Sequence, residues 1–456
     1  MIKSGKRPKK IANILALTIV MVLIITAELV TSVLVKAKGN KVTTDFAVMT
    51  KEEGLWLVNL SKTDKKMLID KGGVFTTPSI SPDGQNVAYT KDKCLYISSV
   101  DLNQGKKEVI KVSEQVVSYG WATSSDLAYS TEKGGLNGFN AASKKFSTYI
   151  KSEEHYEEIV GDGKGTIYAS VYIYYTKDGY QYYQDKGLIS YNIALAKEKV
   201  VVPSKPISKE TNDLKDLGFL PGVAGISKDG AYVYVWCKVH SASINSDGVG
   251  FGVYEVKNNK FTAFNKEKIF ALAYQDNLAI NPVDGRFPAL NNGGVRNMNI
   301  NKTLGIVDVI SGTFTPILPK NMIASDEPFG FTAKGMVTMT PAFSPDGKKV
   351  IFSAANANEN MQQWHKEPHN IYTVDLENKK IEKITEDNNF NFHPTYISKG
   401  EGIVFARVMD ENTISLWKLQ GNKKECIAKN IKLDERSWYY GHFDLKNSLD
   451  IYVSQV

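Results

Sequence analysis

The chain has few cysteines for its length. Cys94, Cys237 and Cys426 are the three cysteines among 456 residues, and they lie far apart in or beside apolar stretches. An odd number of dispersed cysteines is a poor basis for a disulfide framework, and no pair has the spacing of a zinc site. We therefore expect three small, mostly buried side chains, no metal site and no cofactor.

Familiar catalytic signatures are also missing. The sequence has no Gly-x-Ser-x-Gly elbow, no glycine-rich phosphate loop between a strand and a helix, and no His-Glu-x-x-His pair. Paired acids flank His155 at positions 153–154 and 157–158, but a charged connector between strands explains them more simply. These absences favour a non-enzymatic protein.

Positive charge is concentrated at the N-terminus. The formal net charge is +7, and five of these charges come from Lys3, Lys6, Arg7, Lys9 and Lys10, with no acid among the first ten residues. The rest of the chain is nearly neutral and has no stripe of basic residues interleaved with aromatics, so we expect no nucleic-acid partner.

A long apolar run follows this basic segment. Residues 11–35 are roughly long enough to cross a bilayer as a helix. The preceding charges favour a cytoplasmic tail, residues 1–10, and an extracytoplasmic C-terminal body at the cell envelope. We predict a retained signal-anchor helix over 11–35 and a linker over 36–43. The small residues near Ala37 leave cleavage and secretion as the alternative.

The body, residues 44–456, contains an internal repeat. "TPSISPDGQNVAYT" at 77–90 returns as "TPAFSPDGKKVIFSA" at 340–354, and weaker copies lie between and after them. Each copy predicts a four-stranded antiparallel unit. Proline presets φ for a turn, aspartate caps the turn, and glycine accepts positive φ, so the Ser-Pro-Asp-Gly turn needs no catalytic explanation.

Repetition of such units predicts an all-β fold, a single β-propeller. Seven full units can be counted, and an eighth would combine strands from both ends of the body. Residues 44–69 begin partway through a unit, whereas the final residues supply a unit's opening. We predict eight blades, with seven as the alternative.

These repeats resemble the TolB-type β-propeller repeat, in which an apolar strand leads into Ser-Pro-Asp-Gly and then into an Ile-Tyr-Val-Asp-like strand. The match is close at 77–101 and 340–385 and looser at 226–258 and 393–425. The resemblance implies the propeller fold and a binding role among cell-envelope partners. The long N-terminal apolar segment departs from that family, so the family's particular partners do not transfer.

Function is expected at the end of the blades opposite the Ser-Pro-Asp-Gly turns. Long second-to-third-strand loops are predicted at 176–187, 238–250, 281–302 and 355–370, and loops of this kind carry binding residues. Their aromatic and basic side chains suit a protein or glycan partner, although packing between the loops is the plainer explanation. The candidate residues are Tyr180, Tyr182, Tyr183, Arg286, Phe287, Arg296, Trp364, His365 and His369.

The histidines suggest a competing hypothesis. Four of the six, His365, His369, His393 and His442, lie in the last part of the chain, and propellers resembling oligogalacturonate lyases bind a metal through His and Gln near the central channel. An exported polysaccharide-acting enzyme with a metal or acidic site in the channel is therefore the alternative function. His393 precedes proline, as His commonly does in the TolB-type repeat, and we keep the prediction of no metal.

Overall fold

The computed structural model describes residues 42–100, 108–207, 217–323, 328–330, 334–358, 367–433 and 444–454. Residues Thr43–Val456 form one compact unit. No helix among the described residues is long and apolar enough to cross a membrane. The predicted tail at 1–10 and the predicted anchor at 11–35 lie outside the described residues.

The strands form consecutive antiparallel groups of four, in which each strand pairs with the next along the chain. Short runs rich in buried apolar residues form these strands, and turns and loops separate one run from the next. The first strands are β1 (Phe46–Lys51), β2 (Gly54–Asn59) and β3 (Lys66–Asp70). The next two groups are β4 (Phe75–Ile80), β5 (Asn86–Lys91), β6 (Cys94–Ser99), β7 (Val109–Ser113), and β8 (Val116–Trp121), β9 (Asp126–Thr131), β10 (Leu136–Asn140), β11 (Lys145–Ile150).

The middle of the chain continues the pattern. The third group is β12 (His155–Gly161), β13 (Thr166–Lys177), β14 (Tyr180–Asn192), β15 (Lys197–Pro203). The fourth is β16 (Leu220–Ile226), β17 (Tyr232–Lys238), β18 (Val249–Glu255), β19 (Lys260–Ala263), with β20 (Phe270–Ala271) also paired to β18 and a short helix α1 (Ala242–Asn245) between β17 and β18. The fifth is β21 (Leu278–Ala279), β22 (Ala289–Asn292), β23 (Thr303–Asp308), β24 (Thr313–Pro316).

The last groups follow the same order. They are β25 (Met336–Phe343), β26 (Lys349–Asn356), β27 (Asn370–Asp375), β28 (Ile381–Lys383), and β29 (Asn391–Ile397), β30 (Gly402–Val408), β31 (Thr413–Gln420), β32 (Lys423–Lys432), and finally the single strand β33 (Leu449–Tyr452). Short 3-10 turns occur at Gln275–Asn277, Ser398–Gly400 and Leu445–Asn447.

The two ends of the body meet in one sheet. Strand β33 pairs antiparallel with β1, from Phe46 opposite Tyr452 to Met49 opposite Leu449, and the rings of Phe46 and Tyr452 lie 5.1 Å apart. The predicted pairing of terminal strands is thus present. With it, the described strands form groups of four, except that β20 adds a fifth strand beside β18 and one residue pair, Lys51 opposite Ile431, links β1 to β32. This arrangement is consistent with a β-propeller.

The Ser-Pro-Asp-Gly segment forms a hydrogen-bonded turn. Ser344 Oγ donates to Asp346 Oδ1 at 2.6 Å and accepts from the Lys349 amide at 2.9 Å, while Gly347 adopts φ 71°. The same bonds recur around Ser81 and Ser227. The repeated sequence is therefore a structural turn, as predicted.

Neighbouring groups are joined through their first strands. Several of these strands contain a β-bulge, and a side chain at or near the bulge bonds to the adjacent group. Four such bonds are Trp121 Nε1 to Ser79 O, Ile159 N to Ser118 Oγ, Val223 N to Glu158 Oε2, and His393 N to Thr340 Oγ1. Apolar clusters between the groups add the remaining contacts.

The antiparallel order gives each group two ends. We call the end with the first-to-second-strand turns the turn end, and the end with the second-to-third-strand connections the loop end. Since β1 is the second strand of its group, the described chain enters the body at the turn end, and β33 also finishes there. The loop end therefore lies opposite both termini of the body.

Candidate functional site

A two-stranded ribbon extends from the loop end of the third group. Strands β13 and β14 pair from Thr166 opposite Asn192 to Lys177 opposite Tyr180, with one bulge at Lys186. The flanking strands are shorter, because β12 pairs only as far as Tyr172 and β15 only as far as Gly187. Residues 173–184, which we call the ribbon, thus extend beyond the four-stranded sheet.

The ribbon corrects one sequence prediction. Residues 176–187 were expected to be a loop, but all except the two-residue turn Asp178–Gly179 lie in strands. Both turn residues have positive φ, 53° and 78°, as a tight hairpin turn requires. The dense tyrosines favour strand over loop here because aromatic residues suit extended chain.

Tyrosines cover both faces of the ribbon. Tyr174, Tyr175, Tyr180, Tyr182 and Tyr183 are 36–70% exposed. Tyr174 lies opposite Tyr183 on one face, and Tyr175 lies opposite Tyr182 on the other. Isolated exposed aromatics are ordinary, but five on one projecting element form a surface suited to recognition.

Charged groups lie at the base of the ribbon. Glu158 pairs with Lys238 and accepts a bond from Ser170 Oγ at 3.2 Å. Asp185 is 8% exposed, and its carboxylate oxygens have no hydrogen-bond partner. Burial raises the pKa of Asp185 to about 6. The ribbon therefore leaves the sheet above a buried carboxyl group.

The loop after β17 lies against the ribbon. The imidazole of His240 stacks beside Tyr183, with ring centroids 6.2 Å apart. Helix α1 follows, and Ile244 within it is exposed. Arg296 then links this loop to the next group, since its Nε donates to Asp247 Oδ1 at 2.6 Å and its Nη2 donates to the Ser243 carbonyl at 3.1 Å.

Residues 293–302 form a compact loop around a buried lysine. Lys302 is 1% exposed, and its Nζ donates to the carbonyls of Gly294, Val295, Asn297 and Ile300 at 2.7–3.0 Å. The ammonium group satisfies carbonyls that the irregular backbone leaves without ladder partners. This loop is held rigidly at the loop end.

The loop after β26 completes the series. The amide of Asn358 donates to the Asn299 carbonyl at 3.0 Å. His369 is fully buried, stacks on Phe390 at 3.8 Å, and donates from Nδ1 to the Glu367 carbonyl at 2.8 Å if that nitrogen carries the proton. Burial lowers the pKa of His369 to about 4, so this histidine is neutral and structural.

Four connections thus contact one another in order along the loop end. We call them the loop surface, and its described residues are the ribbon and residues 239–248, 293–302, 357–358 and 367–368. Of the candidate residues, Tyr180, Tyr182, Tyr183 and Arg296 belong to the loop surface, whereas the side chain of His369 is buried beneath it. Trp364 and His365 lie outside the described residues.

Arg286 and Phe287 were expected in the same place, and that placement is wrong. The predicted loop 281–302 is divided by β22, so residues 281–288 connect first and second strands at the turn end. There Arg286 forms a bidentate pair with Asp308, with N–O distances of 2.8 and 2.7 Å. Because the strands of this group are short and irregular, the sequence pattern did not indicate that β22 divides residues 281–302.

The histidines do not gather among the described residues. The His393 amide donates to Thr340 Oγ1, whereas the His369 ring stacks on Phe390. Within the same residues, no three His, Cys, Asp or Glu side chains form a cluster able to hold a metal. Gln362, Gln363 and His442 lie outside the described part of the chain.

Two aspartates, Asp276 and Asp444, each lie just before the first strand of a four-stranded group, and the two groups are different. Asp276 lies just before β21, and Asp444 lies just before β33 with its 3-10 turn. Burial, together with the charge of Asp444, raises the pKa of Asp276 to about 7. Sequence inspection missed this pair because the two residues are far apart in the chain and carry no motif.

A cavity lies along first strands of three neighbouring groups. It has a volume of about 750 Å³, and its walls come mainly from β4, β8 and β12, with Lys446 and Asn447 at its margin. Hydroxyl groups of Thr76, Thr90 and Ser118 face mixed apolar neighbours there. The cavity lies apart from the ribbon tyrosines.

Comparison with known proteins gives similarity in structure alone. No protein-family model matches the chain, and no curated protein matches its sequence. Among solved structures, dihydro-heme d1 dehydrogenase NirN in complex with DHE aligns over 86% of this chain and 73% of its own, with 12% identity and a TM-score of 0.51.

Dipeptidyl peptidase 4 from Porphyromonas gingivalis aligns over 88% of this chain, with 10% identity and a TM-score of 0.51, and the chain spans only 60% of its length. TolB from Acinetobacter baumannii aligns over 82% of this chain and 78% of its own, with 12% identity and a TM-score of 0.31. At such identities the first two similarities show a shared fold, a β-propeller, and nothing about activity.

Proposed function

We propose that this chain is a non-enzymatic binding protein that recognises a protein or glycan partner at the cell envelope through its loop surface. The exposed tyrosine ribbon carries the proposal. Five tyrosines on a projecting element offer apolar area and hydroxyl groups together, and such side chains dominate recognition surfaces. The adjoining loops, joined by Arg296 and Asp247, extend that surface over neighbouring groups.

The proposed architecture is a closed propeller of eight blades, with the terminal strands sharing one blade. The pairing of β33 with β1 supports closure, because it places the last strand of the chain in the same sheet as the first. We further propose that residues 11–35 anchor the chain in the membrane with the body outside the cytoplasm. A body that is entered at the turn end leaves the loop surface free for a partner.

A second candidate function is an exported enzyme acting on polysaccharide. The carboxyl pair Asp276 and Asp444 favours it, since two neighbouring carboxyl groups can serve as acid and base. Asp276, with its pKa near neutral, would hold the proton. Release of new reducing or unsaturated ends from pectin-type polymers by the wild-type protein, and their loss in Asp276→Asn, would establish this alternative.

The binding function is tested with a ribbon variant and a matched control. Tyr175→Ala, Tyr180→Ala and Tyr182→Ala together remove exposed rings from the ribbon. Val283→Ala and Ile310→Ala remove exposed apolar side chains from the turn end. Full-length proteins are incubated with detergent-solubilised envelope proteins and, separately, with sedimented envelope polysaccharide.

The proposal predicts that wild type and the turn-end variant retain the same partner and that the ribbon variant loses at least tenfold in bound amount. Circular dichroism and the thermal midpoint confirm that all three proteins are folded. Equal capture by all three proteins would refute the loop surface as the binding site.

A further inference from the structure

We propose that the outer edge of β13, at Tyr174 and Thr176, binds an extended, uncharged segment of a partner polypeptide as an added β-strand. This inference rests on the proposed function, because it names the partner's chemistry at the same surface. The inference differs from the proposed function in one respect, since it assigns affinity to backbone groups rather than to tyrosine rings alone.

The edge has hydrogen-bonding groups at strand spacing. Lys177 and Tyr180 flank a two-residue turn, which makes them a hydrogen-bonded pair. Pairs alternate in an antiparallel ladder, so Ile173, Tyr175 and Lys177 bond inward to β14. The N–H and C=O groups of Tyr174 and Thr176 therefore point outward, where β12 pairs no further than Tyr172.

The free edge at Tyr174 and Thr176 continues the side of β13 that pairs with β12. Strand β12 covers the same side of β13 from Ile167 to Tyr172, so an added strand would extend its line. Local contacts fix the side chain at this position, because Tyr174 Oη donates to Glu157 Oε1 at 2.7 Å and the His155 ring meets the Tyr174 ring edge-on. These bonds hold the Tyr174 side chain against β12.

The edge lacks the usual protection against strand pairing. Exposed edge strands are commonly blocked by lysine, proline or a bulge. In residues 173–184 the charged side chains are Lys177, next to the turn, and Asp178, within it, and there is no proline. The neutral ribbon favours an uncharged partner segment, since a charged one would lose solvation without gaining an ion pair.

A polypeptide suits this edge better than a glycan. Outward groups recur at every second residue, about 7 Å apart in an extended strand, and a polypeptide backbone has the same repeat. Flanking rings on both faces would then pack on alternate side chains of the added strand, as in recognition by strand addition. Affinity would come from the backbone and selectivity from the tyrosines.

The test compares two substitutions at one position. Thr176→Pro removes an outward N–H and leaves the inward ladder intact, as proline is tolerated on an edge. Thr176→Val keeps the N–H and is the matched control. A random dodecapeptide library displayed on phage is selected on the full-length wild-type protein in detergent micelles, and enriched peptides are synthesised and their dissociation constants measured.

We expect enriched peptides to be uncharged and rich in β-branched and aromatic residues. Thr176→Val should bind within about twofold of wild type, whereas Thr176→Pro should bind at least tenfold more weakly, the loss of one to two backbone bonds. Peptide should also slow hydrogen exchange at the Tyr174 and Thr176 amides of the wild type, a readout that needs no variant.

Equal affinity of the proline and valine variants, with no added protection at those amides, would overturn the inference. If binding then still required the ribbon tyrosines, the proposed function would stand and strand addition alone would be wrong. Failure to enrich any peptide would also refute strand addition. If the protein then still captured polysaccharide in the preceding experiment, the ribbon would be assigned as a glycan-binding element.

Discussion

Tyr175 and Tyr182 lie directly opposite each other on the two strands of the ribbon, with ring centroids 5.7 Å apart and ring planes within 20° of parallel. Neither ring is covered by the rest of the body, for both are more than two-fifths exposed. A cross-strand aromatic pair of this kind contributes roughly 0.2–1 kcal/mol. It thus orders the ribbon before any partner binds.

Tyr175→Ala should therefore loosen the ribbon without unfolding the body. Hydrogen exchange at ribbon amides, measured by mass spectrometry, should accelerate by about twofold to fivefold, the equivalent of the lost pair energy. Exchange in β17 and β26 serves as the internal control. Uniform acceleration across the protein would instead mean that Tyr175 stabilises the whole fold.

Removal of the last strand should destabilise the entire body. A chain ending at Ser448 lacks β33 and its stacking of Tyr452 on Phe46, which leaves an edge of β1 unpaired and several apolar side chains exposed. We expect a thermal midpoint lower by at least 10 °C, or insoluble protein. A truncated chain with an unchanged midpoint would contradict closure by the terminal strands.

His369 should make stability decrease in mild acid. Its pKa is lowered from 6.5 to about 4 by burial, so between these values the unfolded state binds a proton that the folded state excludes. Stability is complete above pH 6.5 and falls by roughly 3 kcal/mol as pH decreases to 4. Burial lowers the pKa of His393 to about 4 as well, so His369→Gln should roughly halve the pH slope of the urea-unfolding free energy over that window, and an unchanged slope would contradict the assignment.

Asp185 should act in the opposite direction. Burial raises its pKa from 3.8 to about 6, so the folded state retains a proton that the unfolded state releases, and stability falls as pH rises from 3.8 to 6. Asp185→Asn removes the buried charge and should stabilise the protein at pH 7 by up to about 3 kcal/mol. Destabilisation at pH 7 would show that the carboxylate has a stabilising partner.

Sequence patterns predicted the fold better than the site. Ser344-Pro345-Asp346-Gly347 fixes a turn through local bonds, so its repetition revealed the four-stranded groups. The division of residues 281–302 was not predicted, because β21 and β22 are two and four residues long and depend on neighbouring strands for pairing. Arg286 and Phe287 were consequently assigned to the wrong end.

The site residues depend on contacts between distant parts of the chain. The tyrosines of the ribbon were visible as a composition bias, but their two-faced arrangement follows from the register of β13 with β14. The stacking of His240 on Tyr183 and the burial of Asp185 have no local signal. Pairing of Asp276 with Asp444 likewise requires the ends of separate groups to approach each other.

The most direct test of the binding function is site-specific photocrosslinking in cells that express the full-length chain. A diazirine-bearing residue replaces Tyr180 on the ribbon or, as the control, Val283 at the turn end, both of which are at least 70% exposed. We predict that irradiation joins position 180, and not position 283, to one defined macromolecule, and that Tyr175→Ala with Tyr182→Ala abolishes the product. Equal labelling from both positions, or a product from position 283 alone, would contradict the proposal that the loop surface binds the partner.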